Sequence, residues 1–227
     1  MIRAIIFDLD GTLVDTEPLH FKCFSEVLAG EGIELDEKDY FARLIGYSDR
    51  ECFSLVLAEH QRAVTRATID SLVARKAVRY MEMIHGEDLF YPAAQEFVRQ
   101  CALRFPLVLT TGTLRAEAET ILRHAALREL FLEVVSAEDV ERSKPAPDSF
   151  VAALDHLRRL PQFESVQAAE CLVIEDTAAG VESARAAGMK VLAIAHTSSA
   201  HALAKADLIR PSLAETDLEE TLQRLAD

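Results

Sequence analysis

Cysteine is scarce in this chain of 227 residues. There are four, Cys23, Cys52, Cys101 and Cys171, with no C-x-x-C and no metal-ligand spacing. At such wide, irregular intervals they read as buried thiols of a reducing compartment, not as a disulfide framework. Basic residues are also in short supply, 24 Lys+Arg against 38 Asp+Glu, which gives a formal charge of −14. A general nucleic-acid binder, which normally shows a basic face, is disfavoured by that balance. Long apolar runs are missing as well. The opening Met1-Ile2-Arg3-Ala4-Ile5-Ile6-Phe7-Asp8 is too short for a signal peptide, and no run approaches the ~18 residues of a membrane span. We find no internal repeat and no low-complexity linker. The expectation is a cytoplasmic protein, monomeric, with no nucleic-acid or membrane partner.

With 50% apolar and 27% charged residues, the chain has the profile of a globular protein. Continuous apolar stretches at Ala4–Leu9, Leu107–Thr111, Val134–Ala137, Leu172–Glu175 and Val191–Ala195 suit parallel strands buried on both faces. Helical patterns alternate with them at Ala93–Leu103, Leu114–Ala126, Asp148–Leu160 and Ala178–Ala187. Pro147 stands near one helix start, and Gly188 sits where a helix C′ residue belongs. A short strand near Leu208-Ile209 and a helix from about Leu213 close the chain. The alternation predicts an α/β fold, a doubly wound (Rossmann-like) parallel sheet with right-handed crossovers. From about residue 16 to 89 no strand is evident, only helical periodicity at Leu19–Ala29, Glu37–Leu44, Arg50–His60 and Ile69–Ile84. Roughly 70 residues is too long for a simple connection. The expected organisation is therefore a core domain of residues 1–15 and 90–227 carrying an inserted α-helical cap domain of residues 16–89.

In such a sheet, ligands bind beyond the carboxyl ends of the strands. The first strand ends in Asp8-Leu9-Asp10-Gly11-Thr12, the second in Thr110-Thr111-Gly112-Thr113, and the fourth in Glu175-Asp176-Thr177. Ser143-Lys144-Pro145-Ala146-Pro147 lies between the third and fourth. Four carboxylates brought together would repel one another unless a cation neutralised them. Oxygen donors without His or Cys point to a hard ion, Mg²⁺ or Ca²⁺, and Mg²⁺ keeps positions open for a substrate phosphate. Lys144 and the Thr111 hydroxyl would then hold phosphate oxygens, with backbone N–H groups at Asp10-Gly11 and Gly112-Thr113 as further donors. A carboxylate nucleophile splits phosphate-ester hydrolysis into two steps through an aspartyl phosphate. Blander readings stand beside these. Asp10-Gly11 is also a good tight turn, Thr12 a helix cap, Lys144 a surface lysine, and Glu175-Asp176 a favourable helix N-terminus. Thr110 competes with Thr111, which we prefer because Gly112 follows it.

Asp8-Leu9-Asp10-Gly11-Thr12-Leu13-Val14-Asp15-Thr16-Glu17 resembles the first motif of the haloacid dehalogenase superfamily. Thr111, Lys144 with its Lys-Pro-x-Pro context, and Glu175-Asp176 with Ala-Gly downstream are similar to its second, third and fourth motifs, in the same order. The helical insertion resembles the cap of the β-phosphoglucomutase-like subgroup. The resemblance implies Asp8 as nucleophile and Asp10 as general acid/base. It implies Mg²⁺ on Asp8, the Asp10 backbone carbonyl and Asp176, with Glu175 a ligand or a partner of the ligands. Thr111 and Lys144 would bind the transferring phosphoryl group. In the cap, His20 resembles a histidine of the mutase-like subgroup. Arg50 and Lys76 fall near that subgroup's cationic substrate contacts, the arginine displaced by one residue. Gly11, Gly112 and Thr113 complete the expected substrate-binding set. The sequence departs from the pattern at Pro92-Ala93-Ala94, where relatives carry Gly after the Pro; we read this as a change in helix entry. Dehalogenation is not expected, because dehalogenase members lack the aspartate found here as Asp10.

The leading expectation is a magnesium-dependent phosphatase acting on a small-molecule phosphate ester, a sugar phosphate in particular. The cap would close on hinges near Asp15-Thr16 and Phe90-Tyr91. A β-phosphoglucomutase-type sugar phosphomutase is the alternative, favoured slightly by His20 and Lys76 and opposed by the shifted arginine. A catalytically idle scaffold is a third reading, opposed by Asp8, Asp10 and Lys144.

Overall fold

A computed structural model describes residues 1–45 and 47–226; Gly46 and Asp227 lie outside the described residues. The chain starts with strand β1 (Ala4–Asp8), every residue of which is buried. Four helices follow: α1 (Glu17–Ala29), α2 (Glu37–Arg43), α3 (Asp49–Glu59) and α4 (Arg66–Ile84). Side-chain caps set three of their starts. Asp36, Ser48 and Thr65 accept from the backbone N–H three residues on, and Ser48 with Glu51 forms a full capping box. The α/β alternation then runs α5 (Ala94–Ala102), β2 (Leu107–Thr110), α6 (Arg115–His124), β3 (Phe131–Val135), α7 (Asp148–Arg158), β4 (Cys171–Glu175), α8 (Ala178–Ala186), β5 (Lys190–Ile194), β6 (Leu208–Arg210) and α9 (Leu218–Ala226).

The six strands form one parallel sheet in the order β3-β2-β1-β4-β5-β6. Alternation along the strands divides the core between two faces. Ile5, Phe7, Leu109 and Ile174 pack with Phe97, Ala118 and Leu218 on one side. Ala4, Ile6, Val108 and Val173 pack with Phe150, Leu157 and Val181 on the other. Helices cover both faces, as a doubly wound sheet requires. Strand order reverses between β1 and β4, so the crevice beyond their carboxyl ends is where a ligand belongs. Asp8 and Glu175 end those two strands.

Helices α1 to α4 bury an apolar cluster of their own, including Phe24, Leu28, Tyr40, Phe53, Leu57 and Leu72. The two strands of chain that connect them to the sheet lie side by side: Asp15 N–H donates to Leu89 O at 2.9 Å and Tyr91 N–H to Leu13 O at 3.0 Å.

Three boundaries differ from the sequence expectation by more than a residue or two. Helix α4 starts at Arg66 rather than Ile69, because the Thr65 side chain caps it there. Strand β3 starts at Phe131 rather than Val134. It is an edge strand, and Leu132 and Glu133 are partly in solvent, so its first half lacks the continuous apolar run of its neighbours. At the end of the chain, Leu213–Glu215 is a single 3₁₀ turn and the helix proper begins at Leu218.

Candidate active site

The acidic groups at the sheet edge are brought together by register. Asp8 pairs with Thr110 across β1 and β2, while Phe7 pairs with Ile174 of β4, so Asp8, Thr110 and Glu175 end their strands at one level and Thr111 follows directly beyond. Asp8, Glu175 and Asp176 each place a carboxylate oxygen within 4.8 Å of the others, and all three are buried. Lys144 lies between two of them. Its Nζ donates to Asp8 Oδ1 at 2.5 Å and to Glu175 Oε1 at 2.7 Å. Glu175 Oε2 accepts three more bonds, from the backbone N–H of Asp176 and Thr177 and from the Thr177 hydroxyl. Asp176 accepts from the hydroxyls of Thr12 and Thr197.

Two glycines make room for this cluster. A Cβ on Gly180 would overlap the Glu175 carboxylate, and one on Gly11 would overlap that of Asp176. Gly11 also holds φ at +78°, a conformation that favours glycine.

One ammonium cannot balance three buried carboxylates. Burial, with Glu175 and Asp10 nearby, pushes the Asp8 carboxyl up to about 8 although Lys144 pulls it down. Asp176 is pushed well above its usual range by burial and by the charges of Glu175 and Asp8. The charges of Asp8 and Glu175 overcome burial at Lys144 and hold its ammonium on. Three clustered oxygen donors with excess negative charge, and no His or Cys among them, fit a hard divalent cation.

Asp10 faces the other way. Its Oδ1 accepts from the Thr16 hydroxyl at 2.6 Å and lies 3.3 Å from His20 Nε2, and its Oδ2 accepts from the Thr111 hydroxyl at 2.9 Å. Burial raises its carboxyl, but the bonds from His20, Thr16 and Thr111 outweigh that and hold it below the usual carboxylate value. Behind His20 stands Lys76, fully buried, whose Nζ donates to His20 Nδ1 at 2.8 Å and to Asp49 Oδ1 at 2.5 Å. Lysine has only donors, so His20 Nδ1 accepts and its proton sits on Nε2, aimed at Asp10. Tyr80 stacks on the imidazole with ring centroids 4.3 Å apart.

A cavity of about 50 Å³ separates α1–α4 from the sheet edge. From the sheet side it is lined by Asp8, Asp10, Gly112, Thr113, Lys144, Glu175 and Thr177, and from the helical side by Glu17, His20, Asp49 and the side chains around them. Four expected substrate contacts are corrected here. Gly11 does not line the cavity, and its N–H is already spent on Val14 O at 2.8 Å. Arg50 does not line it either. At the second position of α3 its side chain turns to solvent and pairs with Asp70 of α4. Lys76 reaches the cavity only through His20 and Asp49, because α4 buries it entirely. Thr111, by contrast, is the threonine whose hydroxyl meets Asp10, while the Thr110 hydroxyl is buried without a partner. Thr111, expected to bind the phosphoryl group, does not line the cavity: its hydroxyl is spent on Asp10, and Thr113 N–H donates to its Oγ1 at 3.0 Å. The Asp10 carboxylate stands apart from the three-carboxylate cluster. Thr16 and Glu17 lie in the first motif but carry no expected role there, and no motif marks Asp49; Glu17 and Asp49 line the cavity, while Thr16 reaches the site through its bond to Asp10.

Residues 2–188 match the model of the haloacid dehalogenase-like hydrolase family. The chain belongs to that family. It is 32% identical over 198 residues to the fructose-1-phosphate phosphatase YqaB of Escherichia coli, an alignment covering 82% of this chain and 93% of that one. It is 29% identical over 197 residues to a phosphorylated carbohydrates phosphatase of Thermotoga maritima, covering 86% and 87%. Among solved structures, CbbY from Rhodobacter sphaeroides in complex with phosphate superposes with a TM-score of 0.82 at 25% identity, over 95% and 96% of the two chains. A β-phosphoglucomutase from Clostridium difficile reaches a TM-score of 0.88 over 100% and 98%, but at 22% identity that likeness speaks for the fold alone. The chain is thus a hydrolase, built on the α/β fold that its strand order displays. Among the described residues no helix is long and apolar enough to cross a membrane.

Proposed function

We propose that the protein is a Mg²⁺-dependent phosphatase that hydrolyses the phosphate monoester of a small sugar-like metabolite through an aspartyl phosphate on Asp8. The observation that carries this reading is Lys144 Nζ held between Asp8 and Glu175, with Asp10 poised separately on His20, Thr16 and Thr111. The phosphatase names of relatives at 29–32% identity support it. The mutase reading has no comparable support, since its structural likeness extends to the fold only.

In this mechanism Asp8 Oδ attacks phosphorus, and the ester P–O bond breaks. The leaving oxygen takes a proton from Asp10, whose carboxyl is driven to carry one by the anionic phosphoryl group beside it. Water then attacks the aspartyl phosphate, its proton passes to Asp10, the Asp8–phosphorus bond breaks and inorganic phosphate departs. Lys144 and the Gly112 N–H hold the phosphoryl oxygens, and Thr111 keeps Asp10 in place. A divalent cation on Asp8, Asp176 and the Asp10 carbonyl, with Glu175 beside it, would neutralise phosphate charge when bound.

The cap is taken as residues 16–89 and the core as residues 1–15 and 90–227. A cavity of about 50 Å³ holds a few water molecules and falls far short of the ~300 Å³ of a small-molecule site, so substrate enters when cap and core part.

Two measurements test the reading. Asp8→Asn should lower turnover of p-nitrophenyl phosphate by at least about a thousandfold, and chelation by EDTA should do the same until Mg²⁺ is restored. Near-normal turnover by Asp8→Asn would overturn the nucleophile.

A further inference from the structure

Two basic side chains of the helical segment stand beside residues that line the cavity, and neither offers it a free charge. Arg50 is turned outward onto Asp70. Lys76 is fully buried, and its ammonium is spent on Asp49 Oδ1 and His20 Nδ1. Among the described residues, no lysine or arginine of α1–α4 lines the cavity, whereas Glu17 and Asp49 both do. The side of the cavity facing away from Lys144 is therefore neutral or negative.

Asp49 carries a second signal. Its residue is 9% exposed, Oδ1 is fixed on Lys76, and Oδ2 is buried with no hydrogen-bond partner. A buried carboxylate oxygen left open calls for a donor. Glu17, which also lines the cavity, has its Oε2 accepting from the Tyr40 hydroxyl at 2.9 Å. Hydroxyl groups of a bound molecule are donors of the required kind. A second phosphate is an acceptor only, and in a closed cavity it would lose its water with no cation to replace it.

Resting on the phosphatase reading above, we infer that Asp49 is a specificity-determining residue. It selects monophosphates whose leaving group is neutral and rich in hydroxyls, and it excludes bisphosphates by cancelling the charge of Lys76. The core motifs bind one phosphoryl group in every substrate; Asp49 decides what the other end of the molecule can carry.

The test compares fructose 1-phosphate with fructose 1,6-bisphosphate by phosphate release, in the wild type and in Asp49→Asn, with p-nitrophenyl phosphate as a third substrate. The wild type should favour the monophosphate by about 100-fold in kcat/KM, as expected when a charge meets no counter-charge. Asp49→Asn removes the negative charge that cancels Lys76 and faces the leaving group, so it should narrow that ratio by about tenfold. A destabilised but folded variant would lose turnover on both sugars without moving the ratio, and an unmoved ratio overturns the role of Asp49. Should Asp49→Asn fail to fold, the wild-type ratio decides: equal use of the two sugars overturns the inference. If p-nitrophenyl phosphate turns over and the sugars are used equally, only the inference falls. If none of the three is hydrolysed, the phosphatase reading falls with it.

Discussion

Glu117 shows what a single buried charge costs this molecule. It is the third residue of α6, with Oε2 accepting from Leu114 N–H at 3.1 Å and Oε1 buried without a partner. Burial pushes its carboxyl from 4.5 up to about 7; Lys76 opposes the shift and Asp49 adds to it. The folded protein thus keeps a proton that the unfolded chain has already released. The associated stability is complete below about pH 4.5 and is lost as pH rises through 7. Between pH 5 and 8 the wild type should lose roughly 2–3 kcal/mol more than Glu117→Gln. Urea denaturation of both proteins across that range would show it, and parallel pH curves would refute it.

The same scale separates what was legible from what was not. Asp8, Asp10, Thr111, Lys144, Glu175 and Asp176 could be named in advance, because each follows a strand end or a recognisable short motif. Arg50 and Lys76 could be named but not aimed. Whether a helical cation faces a cavity, solvent or a buried partner depends on how α3 and α4 pack, and charge alone carries no such direction. Asp49 went unnoticed for the same reason: it is the first residue of a helix, where an acid usually needs no explanation beyond the helix dipole.

At the scale of elements, local sequence preference sometimes yields to the site. Alanine would suit the third position of α8 better than Gly180, by about 1 kcal/mol of helix propensity. Its Cβ, however, would enter the Glu175 carboxylate that Lys144 and three other donors hold. Gly180→Ala should therefore cost about 1–3 kcal/mol, lowering the melting temperature by roughly 2–4 °C per kcal/mol, and should depress turnover. The opposite exchange is expected at the start of α5. Ala93 adopts φ +64°, a left-handed conformation that costs a residue with a Cβ roughly 1–2 kcal/mol. Ala93→Gly relieves it and returns about 0.4–1 kcal/mol to the unfolded chain's freedom, so a melting temperature higher by ~1–2 °C is expected. The Pro-Ala-Ala departure had already pointed to this helix entry. Strand β3 was harder to bound, since an edge strand shares its exposed face with solvent and reads as a loop.

For the whole molecule, the −14 charge sets the background against which a cation binds. Three buried carboxylates and one ammonium leave the site short of positive charge, so Mg²⁺ should bind the folded chain far better than the unfolded one. At a hundred times its dissociation constant a ligand of that kind adds about 2.7 kcal/mol, equivalent here to a rise of roughly 5–10 °C in melting temperature. Asp176→Asn should abolish most of the rise, and EDTA should reverse it in the wild type. A Mg²⁺-independent melting curve would remove the metal from the site.

The paired linkers have a separate consequence. Asp15 N–H meets Leu89 O, and Tyr91 N–H meets Leu13 O, so the helical segment leaves and rejoins the sheet through a single zipped ribbon. Its two ends are neighbours whatever lies between them. The length and sequence of its far end can change without displacing β1 or α5, because closure is made at the base, where Cys23, Tyr80 and Ile84 also pack into the core beside the sheet. The helical segment is in this sense a cassette. A chain shortened to a tight turn from Asp15 to Leu89 should still form the six-stranded sheet, and a foreign helical segment joined at the same two residues would place new walls over unchanged chemistry.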